Sequence, residues 1–238
     1  ILNRCRFYSV VGLNSSKRVL IDQHGGILYD TNPHSEVRRL IEIIKNRETN
    51  GSGYVIKSEN IDNIEDVFVE PFNPQPKLYV FGGGHVGEQV GRLAKNIGFR
   101  VAILDDRSQF ISEARHPYAD EFYTGQIQEI FDSLNIDDHS YILAVTRGHQ
   151  HDELVIEWAI KTPAFFIGML GSERKKKIMW QKLLERGSVV KEDLKRVSSP
   201  VGINIGADNP EEIAISILAE LIKVRRGIKR EWKTKKGI

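Results

Sequence analysis

Cysteine is almost absent: Cys5 is the only one among 238 residues. That excludes an internal disulfide and a cysteine-rich metal site, and it fits a reducing cytoplasm. Long apolar runs are missing too. None approaches the roughly 18 residues needed to span a bilayer, and no segment reads as a signal peptide, so no membrane partner is expected. The net charge is only +2, so the chain as a whole lacks the electrostatic footprint of a nucleic-acid binder. A basic run does occur at the end, Arg225-Arg226-Gly227-Ile228-Lys229-Arg230 and Lys233-Thr234-Lys235-Lys236. It reads as a solvated helix end, with a polyanion contact as the alternative. No G-x-S-x-G elbow is present and Ser172 has no identifiable base, which leaves acyl transfer without support. There is no internal repeat and no low-complexity segment.

What remains is a soluble, globular composition, 40% hydrophobic and 28% charged, ample for a core. One stretch organises it. Lys77-Leu78-Tyr79-Val80-Phe81 reads as a buried strand, Gly82-Gly83-Gly84-His85-Val86-Gly87 follows at once, and a helical pattern begins. In G-x-G-x-x-G the first glycine permits the sharp turn, the second lets backbone approach a phosphate, and the third lets helix pack on strand. The helix N-terminus favours an anion. Arg100-Val101-Ala102-Ile103-Leu104 reads as the next strand and ends at Asp105, about 20 residues on, where a dinucleotide-binding fold places its ribose-binding carboxylate. The alternative is a glycine turn that binds nothing.

Before this stretch the chain reads as a small β-rich start. Strands are expected at 6–11, 18–22 and 27–29, with a helix from Asn32-Pro33 to about Glu48 and short strands at 54–56 and 67–69. Pro71, Pro74 and Pro76 make a stiff connector, which places a small α+β domain at 1–72 and a second domain at 73–238. In the second domain strands alternate with helices: 121–124 as a short strand, 140–145 and 164–170 as buried strands, and helices near Ile127, Leu154 and Glu173. Asn209, Pro210 and Glu212 form a strong helix start as cap, first position and capping-box partner. Alternation of this kind predicts a Rossmann-like parallel sheet with helices on both faces and right-handed crossovers.

Ligands of such sheets bind beyond the carboxyl ends of the strands. Those ends carry the glycine turn, Asp105-Asp106-Arg107, Thr146 to Asp152, Gly171 to Lys175, and Gly202 to Asp208. His85 is either a ligand contact or a space-filling residue. His149 and His151 invite a metal reading but lack a predictable third ligand, and Asp152 fits better as a helix cap. Arg174-Lys175-Lys176-Lys177 is a solvated face, unless an anion offsets the cost of two cations in a first helical turn.

Five motifs in order, over roughly 77–226, resemble the XdhC/CoxI family of xanthine dehydrogenase accessory proteins: Gly82 to Gly87; Asp105-Asp106-Arg107; Thr146-Arg147-Gly148-His149 with Asp152; Ile167-Gly168-Met169-Leu170-Gly171-Ser172 with Arg174-Lys175; and Ser199-Pro200-Val201-Gly202 with Pro210-Glu211-Glu212-Ile213-Ala214. The resemblance implies a cytoplasmic, non-catalytic maturation factor, commonly a dimer. Such a factor binds the molybdenum cofactor (molybdopterin), holds it during sulfuration by a cysteine desulfurase, and delivers it to an apo molybdenum hydroxylase. Two departures stand out. Asn14-Ser15-Ser16-Lys17-Arg18 replaces the family's glycine-rich, cysteine-bearing N-terminal pattern, and Asn204 stands where the family often has aspartate. The candidate cofactor-binding residues are Gly82, Gly83, Gly84, His85, Val86, Gly87, Asp105, Asp106, Arg107, Thr146, Arg147, His149, Gly171, Ser172 and Arg174; none is assigned to a metal or to catalysis. The competing readings are an NAD(P)-dependent oxidoreductase, with Asp105 on the ribose, and a nucleotide-sensing module at the same site.

Overall fold

The computed structural model describes residues 6–31, 37–46, 53–60 and 65–227. Cys5, the Asn32-Pro33 helix start, the expected helix end near Glu48 and the basic tail beyond Gly227 lie outside the described residues. The chain divides into two compact units, Ile1–Pro74 and Gln75–Ile238.

The first unit is an antiparallel sheet of β1 (Phe7–Gly12), β2 (Arg18–Asp22), β3 (Ile27–Asp30), β4 (Tyr54–Ile56) and β5 (Val67–Phe72), in the order β3-β2-β1-β5-β4. Alternate residues point to one face, as the period of a strand requires, and Val10, Val19, Ile21 and Val69 pack there with Val37, Leu40 and Ile44 of α1 (Val37–Asn46). Pro71 belongs to β5 and pairs with Tyr8, whereas the sequence places it in the connector. It lies past the last residue of β5 that β4 pairs, Val69, so its missing N–H interrupts no ladder on that side.

The second unit holds six parallel strands: β6 (Lys77–Phe81), β7 (Arg100–Asp105), β8 (Glu121–Thr124), β9 (Ser140–Ala144), β10 (Phe166–Met169) and β11 (Val197–Ser198). Their order is β11-β10-β9-β6-β7-β8, the doubly wound arrangement in which the strand order reverses between the first and fourth strands, here β6 and β9. Strands buried on both faces read as continuous apolar runs. Tyr79 and Phe81 point to one face, where they meet α3 (Ile127–Ser133), α4 (His149–Ala159) and α5 (Glu173–Glu185) through Ile130, Val155, Ile156 and Leu183. Leu78 and Val80 point to the other, against Val90 and Ala94 of α2 (His85–Asn96) and Ala214, Ile217 and Leu221 of α7 (Pro210–Arg225). Burying each such side chain contributes about 1.5–3 kcal/mol.

Two features differ from the sequence reading. The sixth strand is only Val197–Ser198, preceded by a short helix, α6 (Lys191–Leu194). The stretch 202–208 is a loop, as the sequence reads it, and is held by α7: Glu220 accepts from Ser198 Oγ and from the Gly202 N–H, both at 2.6 Å. Strand signals fail at two residues because nothing that short shows a period. At the start of α7, Asn209 Oδ1 accepts from the Glu212 N–H at 2.9 Å as expected, but the Glu212 carboxylate reaches the N–H of Asp208 instead of that of Asn209.

Candidate functional site

The glycine turn stands at the reversal point. A Cβ on Gly82, whose φ is +120°, would lie 2.4 Å from the carbonyl oxygen of Val145 in the loop after β9. One on Gly87 would lie 1.8 Å from the carbonyl oxygen of Gly82, and one on Gly83 would lie 2.5 Å from that of Phe110. These glycines are required by the protein's own packing. Gly84 is different. It caps α2 with φ −75° and ψ −169° and makes no side-chain cap bond, and a Cβ there would meet no atom within 4 Å. Its outward face is open, at the N-terminus of a helix of 12 residues, where free N–H groups gather positive potential. His85 beside it is exposed, while Val86 packs on the core.

Asp105, whose side chain is 2% exposed, has all of its acceptor capacity in use. Oδ2 accepts from the Gly83 N–H at 2.8 Å and Arg107 Nη2 at 2.9 Å; Oδ1 accepts from the Arg107 N–H at 3.0 Å and Nε at 2.8 Å. A carboxylate has about four lone-pair sites, so no ribose hydroxyl finds one here. Burial pushes this carboxyl up, and the hydrogen bonds from Arg107 and Gly83 outweigh it, holding it below the usual range. The guanidinium of Arg107 also lies over the Phe110 ring at 3.9 Å, with that of Arg115 over the same ring at 4.9 Å.

Behind this clamp sits His116, fully buried. Its Nε2 is 2.8 Å from the Phe110 carbonyl, which can only accept, so the proton belongs on Nε2. The Tyr118 hydroxyl lies 2.7 Å from Nδ1 and donates its one proton to the Glu88 carbonyl at 2.8 Å. Burial pushes the imidazole below its ordinary value. His116 and Tyr118 fix the loop that closes over Gly83. No spacing motif marks them in the sequence, because they act through packing.

Beyond β9 the sequence expectation needs correcting. His149, His151 and Asp152 are not on a loop: α4 begins at His149, capped by Gly148 with φ +107°. Asp152 is therefore inside the first turns rather than at the cap. It is fully buried and accepts from the Thr146 N–H at 3.1 Å and from Thr146 Oγ1 at 2.7 Å. Lys175 is its ion-pair partner and also donates to the Leu170 carbonyl at 3.1 Å. Lys175 thus has its anion inside the protein and needs no ligand. Ser172 caps α5, accepting from the Lys175 N–H at 3.2 Å. Among the described residues, no group of three or more His, Cys, Asp or Glu comes together as a metal site.

Gly82, Asp105, Asp106, Thr146 and Arg147, drawn from three loops, line one crevice with Phe81, Leu104, Ile127 and Ile130. Of the glycine turn only Gly82 lines it; Gly83, Gly84, His85, Val86 and Gly87 do not, nor do Arg107, Gly171, Ser172 and Arg174. Arg147 and Arg174 are exposed; like His85, they make no hydrogen bond or ion pair among the described residues. The side chain of His149 lies outside what is described.

Residues 78–221 match the sequence profile of the XdhC Rossmann domain. The chain belongs to the XdhC family. It is 30% identical over 169 residues to a protein of Bacillus subtilis described as a probable subunit of xanthine dehydrogenase, covering 71% of this chain and 49% of that protein. It is 32% identical over 108 residues to the molybdenum cofactor insertion chaperone PaoD of Escherichia coli, covering 43% of this chain and 34% of that protein. The chain thus spans half or less of these XdhC relatives. A solved structure described as a xanthine dehydrogenase from Bacillus halodurans superimposes with a TM-score of 0.74 over 96% of this chain and 62% of the other, at 23% identity, which speaks to the fold. No helix among the described residues is long and apolar enough to cross a membrane.

Proposed function

We propose that this chain is a maturation chaperone that binds the molybdenum cofactor, keeps it while a cysteine desulfurase sulfurates the metal, and passes it to an apo molybdenum hydroxylase of the xanthine dehydrogenase type. One observation carries the reading. Gly84 is the glycine of the turn with open space where its side chain would be, so the room it leaves serves something outside the protein. The residues suit an anionic pterin phosphate or pyrophosphate. The backbone of Gly84 and His85 and the N-terminus of α2 would hold the phosphate. Arg147 and Arg174, exposed and without partners among the described residues, stand beyond β9 and β10, next in the sheet to β6.

When bound, the cofactor supplies the redox chemistry of the client enzyme. This chain supplies only the hold: backbone donors that fix the phosphate, cations that neutralise it, and a clamp around Asp105 that keeps the turn in shape. The relative named as a molybdenum cofactor insertion chaperone supports the same role. We read the working form as a cytoplasmic homodimer, which the family resemblance implies.

The test is to load the purified chain with molybdenum cofactor, desalt it, and measure molybdenum and pterin retained. The loaded protein is then mixed with an apo xanthine dehydrogenase-type enzyme. Retention near one cofactor per chain and activation above that given by free cofactor are expected; failure to retain it rejects the proposal.

A further inference from the structure

The outward face of α7 is apolar where a surface helix is ordinarily polar. Ala214, Ile217 and Leu221 pack in the core. On the side turned to solvent Ile215 is 54% exposed and Ile222 37%, two turns apart and so in one row. Ala219 stands between them, and Glu211 and Arg226, both exposed, end the row. At about 3.6 residues per turn these five residues share one strip of the helix surface, roughly 80° wide. Beside the strip the loop 202–208 adds two more exposed isoleucines, Ile203 and Ile205. Ile203 is fixed to the helix: its N–H donates to the Ser216 carbonyl at 3.1 Å, and its own carbonyl accepts from Ser216 Oγ at 2.6 Å. A helix that is apolar all round is ordinarily a covered one.

The charges select the cover. Glu211 and Arg226 are equidistant from the midpoint between Leu218 and Ala219, and so are Ile215 and Ile222. The row is therefore self-complementary. Antiparallel docking of two α7 helices across a twofold axis at that midpoint sets Glu211 of each copy against Arg226 of the other, and Ile215 against Ile222. The small Ala219 then lies near the axis, where the two backbones come closest. Helix ends of opposite polarity also stand side by side. Parallel docking would instead oppose like charges. Neither Glu211 nor Arg226 makes a hydrogen bond or ion pair among the described residues, so no internal contact is given up.

We propose that α7, with the loop 202–208, is the face on which a second copy of this chain docks, as an antiparallel helix pair about a twofold axis beside Ala219. A stable homodimer buries on the order of 1,200–2,000 Å² in total, more than one helix row supplies, and Ile203 and Ile205 therefore belong to the contact. The inference rests on the homodimer reading and deepens it by naming the face and the register; it does not depend on the cofactor.

Sedimentation equilibrium of the full chain tests this, with thermal unfolding of each variant as the control for folding. The wild type is expected at twice the chain mass of 27.1 kDa. Ile222→Asp should raise the dissociation constant of the dimer about 30-fold. Because the twofold axis repeats each contact, Glu211→Arg and Arg226→Glu should each raise it about fivefold, and the double reversal should return it to within about twofold of the wild type. A dimer that Ile222→Asp and both single reversals leave intact overturns the α7 face while the homodimer reading stands. Single reversals that weaken the dimer without rescue in the double variant overturn the antiparallel register. A wild type that is monomeric at every concentration gives the row to another occupant and overturns the proposal together with the homodimer reading.

Discussion

The backbone N–H of Gly83 donates to Asp105 Oδ2 across 2.8 Å, tying the turn after β6 to the end of β7. The carboxylate commonly read as a ribose ligand is here a structural clamp. Asp105→Ala would strand a buried N–H and leave Arg107 unpaired, so a loss of about 3 kcal/mol is expected in urea unfolding. Because the folded-state carboxyl is held below its ordinary value of 3.8, its contribution is present above that pH and is lost as pH falls through the lower folded value. An Asp105→Ala variant of wild-type stability would show that the clamp holds nothing.

Gly84 and Gly87 should answer substitution with opposite signs. Gly84 is an N-cap with ordinary extended backbone and free space beside it, and aspartate is among the best residues at an N-cap. Gly84→Asp should therefore leave stability unchanged or raise it by about 0.5 kcal/mol, while its charge expels an anion from the turn. Gly87→Ala places a Cβ 1.8 Å from a backbone oxygen and should cost about 1–3 kcal/mol. Thermal unfolding and cofactor retention, measured on both, separate the two roles; retained cofactor in Gly84→Asp would remove the turn from the site.

His116 gives the protein an acid-sensitive point. Its burial, with Arg115 adding to it and the Phe110 carbonyl and Glu88 opposing, holds the ring below the ordinary 6.5. The neutral form is the folded form, so the unfolded chain takes up the proton first. Stability contributed by His116 is complete above about 6.5 and declines as pH falls through the depressed folded value. His116→Gln should flatten the decline in unfolding free energy between about pH 7 and 5. Equal slopes for the two proteins would remove His116 as the cause.

The parallel sheet was legible because Leu78 to Phe81 and Tyr141 to Ala144 are unbroken apolar runs, and the glycine turn because its spacing encodes three separate steric demands. Asp105 was legible as a position but not as a role. Its partner Arg107 is two residues away, and whether that arginine turns back on the carboxylate or faces a ligand depends on the Phe110 ring beneath it. Asp152 was misplaced because Gly148, not Asp152, starts α4, and glycine at a helix cap gives a weaker signal than aspartate. Lys175 is read as a surface cation by any rule of composition; its pairing spans 23 positions along the chain and follows from the adjacency of β9 and β10.

His85, Arg147 and Arg174 follow β6, β9 and β10 respectively, and these strands are consecutive in the sheet order. All three side chains are exposed, and none makes a hydrogen bond or ion pair among the described residues. Removing any of them breaks no hydrogen bond or ion pair among the described residues, so the alanine variants should unfold within about 0.5 kcal/mol of the wild type. A shared anionic ligand would lose one hydrogen bond or charge-assisted contact in each case, lowering cofactor retention by roughly 0.5–3 kcal/mol. Distance along the sheet sets the ranking. Arg147 lines the crevice with Gly82 and should cost most, whereas Arg174, two strands from β6, should cost least. Equilibrium dialysis of each variant against molybdenum cofactor supplies the numbers, and weakened retention should be matched by weaker activation of an apo molybdenum hydroxylase. Three variants that bind as the wild type does would leave the glycine turn without its side-chain partners and dissolve the single-site picture.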